Sequence, residues 1–165
     1  NGDLPPDLGY QNLYPDPSTN FSGITYRYYN SSSATPDIWF GEGESYSNVI
    51  IIESSADATV TACNDTRVWV TVQNVGGMAS DVVVPVYVQQ AQDASAPVPI
   101  MRLGAFTRIK NVPAGGTAKA MLSIPPKFRS TVKPSASDPI LGTSVKLMPG
   151  QITLYVGGKR NPRNP

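Results

Sequence analysis

The stretch Thr66-Arg67-Val68-Trp69-Val70-Thr71-Val72-Gln73-Asn74 alternates without a break. Val68, Val70 and Val72 fall on one side; Arg67, Trp69, Thr71 and Gln73 fall on the other. Successive strand side chains point to opposite faces, so a period of two predicts a half-buried β-strand. Asn74-Val75-Gly76-Gly77 then reads as a turn. Residues 81–90 repeat the pattern, with Val82, Val84, Val86 and Val88 opposed to Val83, Pro85 and Tyr87. Proline cannot donate to a ladder, so Pro85 predicts an edge position or a bulge.

Working outward, residues 48–53 form an apolar run of strand length. Residues 101–109 carry Leu103, Phe106 and Ile109, a spacing that suits a strand only if Gly104 marks a bulge. Residues 112–116 make a turn, and Ala118, Ala120, Leu122 and Ile124 are in phase across 117–124. Pro125-Pro126 stops that strand. Residues 127–144, with Pro134 and Pro139, are expected to be irregular. Met148-Pro149-Gly150 turns into a last strand over 151–156. No segment sustains a 3.6-residue period. About seven strands separated by turn signals predict an all-β fold: an antiparallel, immunoglobulin/fibronectin-III-like β-sandwich.

Upstream, residues 1–36 differ in kind. Pro5, Pro6, Pro15, Pro17 and Pro36 interrupt any regular element, while Tyr10, Tyr14, Tyr26, Tyr28 and Tyr29 supply aromatic area. Proline fixes φ and favours extended backbone. The expected organisation is an extended N-terminal arm over 1–36, a sandwich over 37–158 and a flexible, basic tail over 159–165. The alternation of Thr25-Tyr26-Arg27-Tyr28-Tyr29 suits a short strand inside the arm. The tyrosines, with Trp39 and Phe40, suit docking on another surface.

Composition narrows the function classes. Thirteen basic and 12 acidic side chains leave a net charge of +1, which argues against a nucleic-acid partner, since phosphate binding needs a clustered basic face. No apolar run approaches the roughly 20 residues of a membrane helix. Charged residues are only 15% of the chain, against about 25% in ordinary soluble domains, a composition common in extracellular β proteins. Three N-x-S/T sequons, at Asn20, Asn30 and Asn64, favour a secreted glycoprotein. The chain opens on Asn1, as a processed product or an excised domain would. Cys63 stands alone, so no internal disulfide forms. The expected state is a buried or inert thiol, with pairing between chains as the alternative.

Further motifs fall in a defined order. Phe40-Gly41-Glu42-Gly43-Glu44-Ser45-Tyr46 resembles the F-G-x-G-L-S-Y segment that introduces the C-terminal fibronectin-III-like domain of family 3 glycoside hydrolases, the β-glucosidases and β-xylosidases. Residues 70–76 resemble the family's V-x-V-x-N-T-G strand and turn. Residues 81–88 resemble G-x-E-V-x-Q-L-Y-V, and 99–109 resemble P-x-x-x-L-x-G-F-x-R-V, continuing into Val112-Pro113-Ala114-Gly115. Residues 149–157 resemble P-G-x-Y-x-V-x-V-G, and residues 25–28 match the T-Y-R-Y found upstream in the xylosidase-like branch. The likeness covers about residues 25–158. Glu44 stands where the family has leucine, and Pro85 stands near its usual glutamine. The resemblance implies a domain that accompanies catalysis without performing it. It also implies that the Phe40 segment faces a catalytic-side domain, a contact that the charge at position 44 leaves altered or absent.

Chemistry-bearing clusters are sparse. The chain has no histidine, so no Cys-His pair forms, no zinc-type spacing exists, and no cofactor or metal is expected. Glu42 and Glu44 could share a strand face, but retaining glycosidases need two carboxyls about 5 Å apart across one bond, and a solvated acidic loop is the expectation here. Trp39 and Trp69 either pack or stack on a sugar. The readings carried forward are a non-catalytic structural module, bracing a protein partner or self-assembling through the arm; a fragment of a family 3 glycosidase without its catalytic domains; and a carbohydrate-binding module.

Overall fold

Valine alternation on two central strands sets the architecture. In a computed structural model the described residues are 25–28, 37–91, 98–134, 143–147 and 149–157. They form β1 (Val49–Ala56), β2 (Thr66–Asn74), β3 (Ser80–Gln90), β4 (Arg102–Val112), β5 (Thr117–Ile124), a 3₁₀ turn (Pro126–Arg129), β6 (Ser130–Pro134), β7 (Thr143–Leu147) and β8 (Ile152–Val156). One sheet has the order β1-β2-β5, the other β4-β3-β8, and β6-β7 is a separate pair. Every ladder is antiparallel. The expected all-β sandwich is borne out.

The core lies between the two sheets. Val68, Val70 and Val72 of β2 meet Val84, Val86 and Val88 of β3, with Leu122 and Ile124 of β5. Each is at most 3% exposed, and burying a side chain of this kind stabilises by about 1.5–3 kcal/mol. Ala105 and Ile109 of β4 and Leu154 and Val156 of β8 close the sides. Branched side chains in period two suit such pleated surfaces.

The predicted bulge is present. Val86 pairs with Ala105 and Tyr87 with Leu103, which leaves Gly104 as the extra residue of β4. A Cβ on Gly104 would stand 2.6 Å from Val88 Cγ2 and 3.1 Å from Ile124 Cγ2. The bulge therefore needs a residue without a side chain. Pro85, expected at an edge or bulge, instead occupies the central strand of its sheet. Its carbonyl accepts from Gly157 N at 2.9 Å, one residue past the end of β8. The missing proline N–H thus falls where that ladder has ended.

Two local expectations are corrected. Residues 25–28 form a turn, closed by Tyr28 N donating to Thr25 O at 3.1 Å, and not a strand. The stretch expected to be irregular contains β6 and β7, paired from Ser130↔Leu147 to Pro134↔Thr143. Pro134 is tolerated because it is the last residue of its strand.

Buried polar groups fasten the layers. Asn74 is fully buried. Its Nδ2 donates to Met78 O at 2.7 Å and Val112 O at 2.9 Å. Its Oδ1 accepts from Ser47 Oγ at 2.6 Å and Gly76 N at 3.0 Å. One amide thereby joins the segment before β1, the turn after β2 and the end of β4. At the other end, Arg102 donates to Phe128 O at 2.6 Å and Ser130 O at 2.8 Å, fixing the 3₁₀ turn. Burial pushes the Arg102 pKa down.

Candidate functional site

The outer face of β4-β3-β8 carries the residues expected to dock. Tyr87 projects outward from β3, opposite the core valines, yet is only 2% exposed because the preceding chain covers it. Its hydroxyl donates to Phe40 O at 2.9 Å. Burial first, and then nearby Tyr26, raises the phenol's pKa. Gly41 turns at φ 85°, and a Cβ there would fall 1.9 Å from the Tyr87 hydroxyl. Both the positive φ and the close approach require glycine.

Tyr26 and Phe40 stack with ring centroids 3.8 Å apart and planes 6° from parallel. The Leu103 N–H also donates to Tyr26 Oη at 3.0 Å. Arg27 O accepts from Ile100 N at 2.7 Å. Tyr28 is buried, whereas Phe40 is 51% exposed. Trp39 is half-buried, and its backbone N–H donates to Glu42 Oε2 at 3.0 Å. The structure therefore gathers Tyr26, Tyr28, Trp39 and Phe40 beside this sheet, with one side of the stack left open. Exposed Phe106 and Val83 lie on the same outer face; the sequence placed both in strands but did not mark them for docking. Their signal was available: they are out of phase with the core residues of their strands. Tyr29 lies outside the described residues.

The other expectations sort as follows. Glu42 caps the turn at Trp39, while Glu44 is exposed. Asn64 is exposed at a surface turn. Its carbonyl accepts from the Arg129 guanidinium, which also reaches Thr61 O at 3.5 Å. Asn20 and Asn30 lie outside the described residues. Cys63 is exposed, which overturns the buried thiol: the polar turn ahead of β2 holds it outside the core. No three His, Cys, Asp or Glu side chains gather to hold a metal ion among the described residues. No described helix is long and apolar enough to cross a membrane.

The opposite outer face, on β1-β2-β5, is built differently. Trp69 is 40% exposed there, beside Thr71, Lys119 and Met121, and no preceding segment lies over it among the described residues.

No protein-family model matches the chain, and no curated protein matches it. Its fold does match solved structures. The GH3 β-glucosidase of Bifidobacterium adolescentis superposes with a TM-score of 0.67 at 25% identity, over 82% of this chain and 18% of that one. The β-glucosidase DesR of Streptomyces venezuelae, in complex with D-glucose, gives 0.67 at 22% identity, over 90% of this chain and 19% of that one. The β-D-glucoside glucohydrolase of Trichoderma reesei gives 0.67 at 23%, over 87% and 21%. The chain thus spans about a fifth of the length of these enzymes. The resemblance read from its motifs is borne out: the chain has the fold of one segment of family 3 β-glucosidases.

Proposed function

We propose that the chain is a non-catalytic accessory module of a secreted, glycosylated polypeptide, and that it braces a neighbouring domain through the Tyr26–Phe40 face. The observation that carries this reading is the rigid aromatic stack. Phe40 is fixed by its carbonyl on Tyr87 and by its ring on Tyr26, yet half of it faces outward. Large, preorganised aromatic anchors at the centre of an apolar patch are what protein interfaces use. The match to about a fifth of β-glucosidase chains supports a neighbour of glycosidase type, acting on β-glucosides. Among the described residues Asn64, exposed on a pinned turn, is the residue proposed to carry a glycan.

The test combines two measurements. Intact mass of the native polypeptide, with its full coding sequence, should reveal catalytic domains alongside this one and a glycan on Asn64. The purified 165-residue chain should leave aryl β-glucosides and β-xylosides uncleaved. Hydrolysis by the isolated chain would overturn the reading. Assembly with further copies of the chain is the competing outcome, and sedimentation velocity would show it.

A further inference from the structure

The outer face of β1-β2-β5 holds an open groove of about 360 Å³, lined in part by Glu53, Ser55, Trp69, Thr71, Lys119 and Met121. The geometry points to a second, separate function for this groove: it binds a neutral pyranoside, stacked on the Trp69 indole.

The indole is held in place from one direction. The Arg67 guanidinium carbon lies 5.4 Å from the Trp69 ring centroid, a cation–π distance. Arg67 is itself fixed by Asp57, through Nη2 to Oδ1 at 3.1 Å and Nε to Oδ2 at 3.2 Å. Asp57 Oδ2 also accepts from Arg67 backbone N at 2.8 Å. A bidentate pair of this kind adds geometric fixity to attraction. Trp69 therefore borders the groove as a stiff aromatic wall whose orientation is already set, which lowers the ordering cost of binding.

The rest of the lining selects the ligand class. Thr71 Oγ1 donates to Glu53 Oε2 at 3.3 Å, which steadies a carboxylate acceptor across β1 and β2. Lys119 and Met121 come from β5, because Thr71 pairs with Lys119 and Trp69 with Met121. An indole wall, a carboxylate acceptor and an ammonium donor on one surface match a pyranose with equatorial hydroxyls. Its axial C–H groups form an apolar face for the ring, and its hydroxyls both donate and accept. A cationic ligand would meet Lys119. An anion would meet Glu53. The volume sits at the small end of ligand sites, so a sugar or two fits and affinity should be on the order of millimolar.

This inference uses the sheet opposite the docking face and does not rest on the bracing role. The test is titration of the full, isotope-labelled chain with cellotetraose and laminaritetraose, followed by amide and indole N–H resonances. Tetramethylammonium is titrated as the cationic control. The expected result is saturable shifts at the Trp69 indole and at Thr71, Lys119 and Met121. Trp69→Ala should weaken binding about tenfold. Lys119→Ala, at an exposed position that folding does not need, should weaken it about three- to tenfold. The inference is overturned by an unshifted spectrum at about 20 mM sugar, which would saturate a millimolar site. It is also overturned if both variants bind the sugars as tightly as the wild type, or by tetramethylammonium binding in place of the sugars.

Discussion

The two outer faces of the sandwich share one core and are put to different uses. On β4-β3-β8, a preceding segment folds back over Tyr87 and leaves the Tyr26–Phe40 stack, Phe106 and Val83 facing outward. On β1-β2-β5, Trp69 stands in a groove of charged and hydroxyl side chains. Each face also has its own ion pair: Asp81 holds Arg108 at 2.8 Å on the first, and Asp57 holds Arg67 at 3.1 Å on the second. The difference is one of chemistry on identical scaffolding. Apolar, aromatic surface with few polar partners suits a protein neighbour, whereas an isolated aromatic ringed by acceptors and donors suits a small polar ligand.

Removing what the faces share should have the largest effect. Asn74→Ala removes the buried bonds to Val112 O and Ser47 Oγ and the part-buried one to Met78 O, and should cost about 3–5 kcal/mol. Denaturant unfolding would read it, and resonances of both faces should melt together. Melting of one face alone would mean that they are not one cooperative unit.

Next comes Gly41→Ala, which should detach the first face only. A side chain at φ 85° that also collides with the Tyr87 hydroxyl should cost about 2 kcal/mol. Shifts should spread through Tyr26, Phe40 and Tyr87 and leave Trp69 unmoved.

Tyr87→Phe is gentler, at about 1 kcal/mol for the lost bond to Phe40 O, and it carries a pH signature. The folded phenol's pKa is raised, so its contribution is intact below the ordinary value of about 10. That contribution is lost as pH climbs through the folded value. Wild type should destabilise above about pH 10, and Tyr87→Phe should lose that part of the decline.

The smallest effects belong to the two ion pairs. Asp81 is held below the usual carboxylate range by the Asn111 backbone N–H and then by Arg108, and Asp57 by Arg67. Depressed values mean stability that is present above about pH 4 and lost as pH falls through the folded pKa. Asp57→Asn and Asp81→Asn should each flatten the acid limb of a melting-temperature profile slightly. Only Asp57→Asn should disturb the Trp69 resonances.

Much of this fold is legible in the residues because unbroken alternation leaves few alternatives. The strand over Thr66–Asn74 and that over Thr117–Ile124 have the ends that periodicity assigns them, and the spacing from Leu103 to Phe106 already required the bulge at Gly104. What resisted reading was decided by distant partners. Residues 25–28 alternate like a strand, but a turn that delivers Tyr26 to Leu103 wins. Pro134 looked like a breaker, though a proline at a strand's last residue breaks nothing. Cys63 looked like core by residue type, but its turn lies outside the sheets. Of the candidate sites, the aromatic cluster was visible as tyrosines near Trp39-Phe40. The clamp of Asp57 and Arg67 on Trp69 joins a loop to a strand, and only the strand's i, i+2 pair was there to be seen.

Hydroxyl-radical footprinting of the native polypeptide against the isolated 165-residue chain tests the contrast between the faces most directly. Labelling of Phe40 and Phe106 should fall in the native polypeptide, while Trp69 and Met121 label equally in both. Protection of Trp69 and Met121, with Phe40 labelled as strongly as in the isolated chain, would contradict the assignment of the docking face.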